Sequence, residues 1–158
     1  MRDNKIIFWA CDYSDQTGEG NLARKFIKEK YDKKKIKINF TKLDDFLNHK
    51  YIVPYIGIIS CWKYYLKGYR VGYINFLPLW NFFIFFLLPP KTILGPITGG
   101  ALFDKSNVIN FLIRKIIFPI FYKFSEIILI LRFKGKLIFS TELLKQYLFK
   151  KTVRKSSF

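Results

Sequence analysis

Short apolar runs that end in a polar or glycine-rich turn and then give way to a helical pattern recur along this chain, and that alternation limits the fold more than any other feature. A strand leading through a turn into a helix, and then into another strand, is a βαβ unit, and successive units build a parallel sheet with helices packed on it. Five runs read as strands: Ile6 to Cys11, Ile36 to Phe40, Arg70 to Ile74, Lys91 to Leu94 and Lys136 to Ser140. The fold class expected is therefore α/β, with a parallel sheet of about five strands.

The helices between them follow from spacing and punctuation. Leu22, Ala23, Phe26 and Ile27 recur at helical intervals within Asn21 to Lys30. Pro54 and Gly68 bracket a helix over Tyr55 to Lys67, with Ile56, Ile59, Trp62 and Leu66 on one expected face. Lys33 to Lys35 form a turn, and Leu43 to Leu47 a small helix or loop around Asp44 and Asp45. Pro78 to Leu88 reads as a further helix. Val108 to Leu131, capped by Ser106, carries Pro119 at its middle and reads as one kinked helix or two short ones. Thr141 caps a last helix with Glu142 in its first turn, and Lys150 to Phe158 is expected to be a frayed basic tail. One domain over 1–149 followed by that tail fits a length of 158 residues.

Composition closes off several function classes. Half of the residues are apolar and a fifth are aromatic, ample material for a core and too much for a disordered chain. Cys11 and Cys61 form no CxxC pair and lie far from the single histidine, His49, so no zinc site of standard spacing is expected. His49 beside Asp44 and Asp45 reads as a surface histidine, which leaves no Ser/His/Asp triad, and Asp-x-Asp does not occur. Met1 to Cys11 lacks the form of a secretory signal. Ile74 to Leu88 is broken by Asn75, Pro78 and Asn81, so neither greasy stretch reads as a spanning helix. A cytosolic location is expected.

In an open parallel sheet the ligand crevice lies at the carboxyl ends of the strands. Two glycine-bearing loops fall there: Thr17-Gly18-Glu19-Gly20 after the first strand and Gly95-Pro96-Ile97-Thr98-Gly99-Gly100 after the fourth. Unpaired backbone N–H groups at the following helix suit a phosphate or a sugar hydroxyl. Either loop could equally serve only as a tight turn or let a helix pack on its strand. Asp12, Asp15 and Glu19 are the acids available on that rim.

The formal charge is +17, with 12 basic and 8 acidic residues before position 51 against 16 and 3 after it. On the long helix Arg114, Lys115, Lys123, Glu126 and Arg132 fall within half the wheel, while Phe111, Ile117, Phe118, Phe121 and Ile128 crowd the rest. Such a helix fits an anionic membrane surface, or else is a core helix with a solvated face. No zinc finger, helix-turn-helix or RNP-like pattern accompanies the charge, so specific nucleic-acid binding is not expected.

The segments Thr17 to Ala23, Gly72 to Phe82 and Pro89 to Gly100, together with Phe139-Ser140-Thr141-Glu142-Leu143-Leu144, resemble the N-terminal half of bacterial GT-B glycosyltransferases of surface-polysaccharide assembly, of the family 4 type. The resemblance runs over nearly the whole chain. It implies a Rossmann-like acceptor-binding domain, with helices on both faces of its sheet, belonging to a transferase that moves a sugar from a nucleotide sugar to a polysaccharide or lipid-linked glycan. It places Thr17, Gly18, Glu19, Gly20, Gly95, Pro96, Thr98, Gly99 and Gly100 on the cleft, and implies neither a metal nor another cofactor. The donor-side Glu-x₇-Glu pattern is absent: Glu19, Glu29, Glu126 and Glu142 are followed eight residues later by Ile27, Lys37, Lys134 and Lys150. The donor-binding C-terminal domain is accordingly expected to lie outside this chain, which alone is expected to be inactive and to work peripherally at the cytosolic face of the inner membrane. The alternative expectations are a non-catalytic acceptor-binding subunit with a separate donor-binding partner, or a gene remnant.

Overall fold

The computed structural model describes residues 6–31, 36–40, 52–99, 113–133 and 135–158. The Lys33–Lys35 turn, the Leu43–Leu47 segment, His49, Gly100, the Ser106 cap and the first residues of the long helix lie outside them. The described chain is mixed α/β. Strands β1 (Ile6–Ala10), β2 (Ile36–Phe40), β3 (Arg70–Tyr73) and β4 (Ile93–Leu94) form a parallel sheet in the order β2-β1-β3-β4. β5 (Leu137–Ile138) pairs in parallel with β6 (Ser156–Ser157) as a separate two-stranded sheet.

All five expected strands are present, but they do not run as one continuous ladder. β4 stops after two residues because Gly95 and Pro96 follow, and proline brings no N–H to a ladder. The contact resumes one step later: the Ile97 N–H donates to the Ile138 carbonyl at 2.8 Å and the Ser140 N–H donates to the Ile97 carbonyl at 2.9 Å. Thus the two sheets touch through the bridge Ile97–Phe139.

Side chains alternate across β1, and each face recruits its own helices. Phe8 and Ala10 pack on Ala23, Phe26 and Ile27 of α1 (Gly18–Lys30). Trp9 faces the other way with Val71 and Tyr73, onto α2 (Val53–Leu66), α3 (Phe82–Leu87) and α4 (Phe118–Arg132). A Cβ at Gly57 would stand 2.7 Å from three Trp9 ring carbons, so α2 reaches the sheet only because that position is glycine.

Four expectations are corrected. α2 buries Val53, Pro54, Gly57, Ile58 and Cys61 and exposes Ile59 and Leu66, so the Ile56, Ile59, Trp62, Leu66 face is not the one that packs. α3 begins at Phe82 and not Pro78, because Pro78 bridges Thr98 and the Leu79 N–H donates to the Thr98 carbonyl at 2.7 Å. The long helix divides at Pro119 as expected, a π-helical turn over Ile113–Ile117 giving way to α4, but its faces are not wholly those expected: Glu126 of the charged arc is buried, while Lys115 is exposed and Phe118 and Ile128 pack partly on the core. Tyr122, Ser125, Glu126 and Leu129 are buried, whereas Ile120, Phe124, Ile127 and Leu131 face outward.

The fourth concerns residues 150–158, which are part of the fold and not a frayed tail. They form α5 (Lys150–Lys155) and β6, and Phe158 stacks on Phe139 with centroids 5.3 Å apart. The last expected helix is a 3₁₀ segment over Glu142–Tyr147. Thr141 caps it, its hydroxyl accepting from the Leu143 N–H. No helix of the described residues is long and apolar enough to cross a membrane.

Candidate functional site

The carboxyl ends of β1, β3 and β4 meet in a narrow crevice lined by Glu19, Leu22, Ala23, Ile74, Asn75, Phe76, Pro96 and Thr98. Its volume is about 10 Å³, room for a single water. The two loops singled out in the sequence do share this rim, through Glu19 on one side and Pro96 and Thr98 on the other.

Their local structure differs from that of open phosphate loops. Thr17 is the N-cap of α1, so Gly18, Glu19 and Gly20 form the helix's first turn. The Thr17 hydroxyl accepts from the Gly20 N–H at 2.9 Å and donates to the Asp12 carboxylate, whose other oxygen accepts from the Ser14 N–H at 2.8 Å. These bonds, that from Thr17 foremost, lower the pKa of Asp12, although partial desolvation opposes them. A fixed carboxylate therefore already stands at the positive end of α1, where it disfavours an incoming phosphate and favours a hydroxyl.

The glycines are mostly occupied by the chain itself. A Cβ at Gly20 would meet the Ser14 carbonyl oxygen at 2.3 Å, and one at Gly95 would meet the Ile74 carbonyl oxygen at 2.5 Å. At Gly99 the neighbour is a flexible Leu144 methyl at 2.8 Å, and the Gly99 carbonyl accepts from the buried Tyr122 hydroxyl at 2.5 Å. Gly18 alone of these faces open space. Gly20 and Gly95 thus bring backbone against backbone, the packing role that glycine after a strand often has.

Two residues that sequence reasoning did not place on the site hold it together. Asn75, buried two residues past β3, accepts from the Asp12 N–H at 3.4 Å and donates to the Glu19 carbonyl at 3.3 Å. Its signal was a polar residue inside an apolar run. Phe76 has φ 55°, a left-handed conformation uncommon for a bulky side chain, and its N–H bonds the Glu19 carboxylate. Desolvation nonetheless raises the Glu19 pKa, with the Phe76 N–H opposing and the charge of Asp12 adding. Burial also pushes the Cys11 thiol up to about 12, with Glu19 and Asp12 contributing, so it is no thiolate nucleophile at neutral pH.

Phe76 also borders a larger cavity of about 630 Å³, lined by Pro54, Tyr55, Phe76, Pro78, Trp80, Asn81, Phe83 and Ile84. That volume is in the range of small-ligand sites. Trp80 is held by stacking on Phe118, centroids 5.4 Å apart and planes 17° from parallel. No three His, Cys, Asp or Glu side chains among the described residues group closely enough to hold a metal ion. No protein-family model, no curated protein and no solved structure matches the chain.

Proposed function

We propose that this chain is the acceptor-binding, Rossmann-like half of a GT-B-type glycosyltransferase, acting at the cytosolic face of a membrane on a polysaccharide or lipid-linked glycan. The observation that carries the reading is the aromatic cavity that shares the Phe76 wall with the Glu19 crevice. Sugar rings present apolar C–H faces that pack on indole and phenol rings, as at Tyr55 and Trp80, and hydroxyls that need acceptors. In this reading a ring packed in the cavity extends past Phe76, and Glu19 in the neighbouring crevice offers its carboxylate to one of the hydroxyls. The parallel strand order and the resemblance of the loop segments to GT-B enzymes support the same reading. In this division of labour a second Rossmann-like half, supplied by a further domain or a separate subunit, holds the nucleotide sugar.

The test is titration of the full chain with a panel of hexose and N-acetylhexosamine oligosaccharides, and separately with nucleotide sugars, followed by amide NMR. Saturable shifts at Gly18, Glu19, Phe76 and Thr98 with an oligosaccharide, lost in Trp80→Ala, are expected. Saturable nucleotide-sugar binding by this chain alone, or no response to any glycan, would overturn the proposal.

A further inference from the structure

The outward face of α3 and α4 is apolar without interruption. Phe83 and Phe86 on α3, and Ile120, Phe124, Ile127 and Leu131 on α4, are between 45% and 74% exposed. The two helices lie side by side, tied by Phe82 against Phe121 and Phe124 and by the Arg132 guanidinium over the Phe86 ring, 5.7 Å from its centroid. A solvated helix turns charges outward; α4 buries Glu126 and keeps Lys123 and Arg132 half-buried, while an apolar stripe spaced i, i+4, i+7, i+11 meets the surroundings. A contiguous exposed apolar patch of this kind marks an interaction surface.

We propose that this face docks on an anionic lipid bilayer, with α4 lying in the interface and its phenylalanine and branched side chains below the headgroups. The inference deepens the membrane part of the reading above and rests on it. Charge selects the occupant. Each copy carries +17, so a second copy brings repulsion where an anionic leaflet brings attraction. Lys115 is exposed one turn before α4, and the half-buried Arg132, which donates to the Leu88 carbonyl at 2.8 Å, lies beside Phe86, so cations border the patch. At 15 residues α4 is about 22 Å long, short of the roughly 30 Å hydrocarbon core, which suits it to lie along the interface. The aromatic cavity reaches the same face through Phe83, so a lipid-linked acceptor would enter it from the bilayer.

The full chain is sedimented with vesicles of equal phosphatidylglycerol and phosphatidylcholine, and with phosphatidylcholine alone. Binding to the anionic vesicles is expected. It should fall about tenfold or more in F124S/I127S, and less than about threefold in K25Q/K28Q on α1, across the sheet. Both pairs are exposed, and unchanged circular dichroism shows that each variant is folded. Brominated phosphatidylcholine in the mixture should quench Trp62, whose indole N–H donates to the Leu87 carbonyl at 2.7 Å beside the face. Wild-type binding by F124S/I127S would overturn the proposal. So would binding abolished by salt without quenching, or a concentration-dependent dimer that the double variant dissolves while vesicles are ignored. Lipid binding is measured without glycan and glycan binding without lipid, so either reading can fail alone.

Discussion

Glu126 carries the most informative single perturbation. Its side chain is fully buried on α4, one carboxylate oxygen accepting from the Phe149 N–H at 2.7 Å and the other from the Lys123 ammonium at 3.3 Å. Lys123 in turn lies 3.8 Å from the centroid of the Phe149 ring, so one carboxylate fixes the start of α5 onto α4. Glu126→Ala leaves the part-buried Phe149 N–H without its acceptor, which costs about 1–2 kcal/mol. The Lys123 partner is 39% exposed and can turn to water, so losing the ion pair adds roughly 0–1 kcal/mol. If about 40 Å³ stays unfilled, at about 24 cal/mol per Å³, the cavity adds about 1 kcal/mol. The total is about 3 kcal/mol, a fall in Tm of roughly 6–12 °C for a chain of this size. Glu126→Gln keeps an oxygen for Phe149 and should cost about 1 kcal/mol. Thermal and urea unfolding measure both, and the Phe149 amide should exchange with solvent faster in the alanine variant only. Equal losses in the two variants, or losses below about 0.5 kcal/mol, would refute the assignment of the bond to Phe149 as the one that matters.

Gly57→Ala, forced against the buried Trp9 ring, should destabilise by about 1–3 kcal/mol in urea unfolding. Gly18→Ala in open space should be neutral or slightly stabilising by the same measurement, whereas Gly20→Ala against the Ser14 carbonyl should be clearly destabilising. Because the folded chain raises the Glu19 pKa, the ionised carboxylate costs stability above that pKa, and the cost disappears as pH falls through the folded value toward 4.5. Glu19→Gln should therefore exceed wild type in stability at pH 7, and the difference should vanish below about pH 4. Asp12→Asn should behave oppositely, its loss present at pH 7 and fading as pH falls below 3.8 through the lowered folded value. Burial pushes both thiols up to about 12, so at pH 8 Cys61 should resist iodoacetamide until the chain is unfolded, and Cys11 should react far more slowly than free cysteine.

The positions of the strands were legible because each is an apolar run closed by glycine, proline or a polar turn, a signal that is local in sequence. What was illegible depended on partners far along the chain. The packing face of α2 rests on Gly57 and Cys61, small residues that contribute little to a hydrophobic pattern yet let the helix reach Trp9. β6 is two serines after a basic helix, with no strand signature of its own; the Phe139 N–H donating to the Ser157 carbonyl at 2.8 Å fixes it in place. At the candidate site, Glu19, Pro96 and Thr98 were found by their rim position, but the use of Gly20 and Gly95 for close packing appears only once Ser14 and Ile74 are seen against them.

The inward turn of Glu126 on α4 has a different origin. A helical wheel assigns the charged arc to water, which holds when the charges lack partners inside. Glu126 has two, and one of them is a backbone N–H 23 residues away that no wheel contains. With Glu126 drawn inward beside Tyr122, Ser125 and Leu129, the stripe Ile120, Phe124, Ile127 and Leu131 turns outward, and the aromatic content of the chain makes the result pronounced. A domain of this size has limited interior: Phe8, Phe26, Phe85, Phe133 and Phe139 fill it, while Phe83, Phe86 and Phe124 stand outside. Phe83, Phe86 and Phe124 therefore add to the apolar surface that the outward face of α3 and α4 presents. On the docking proposed above, an anionic lipid surface would cover those apolar side chains and answer the charge of this basic chain at once.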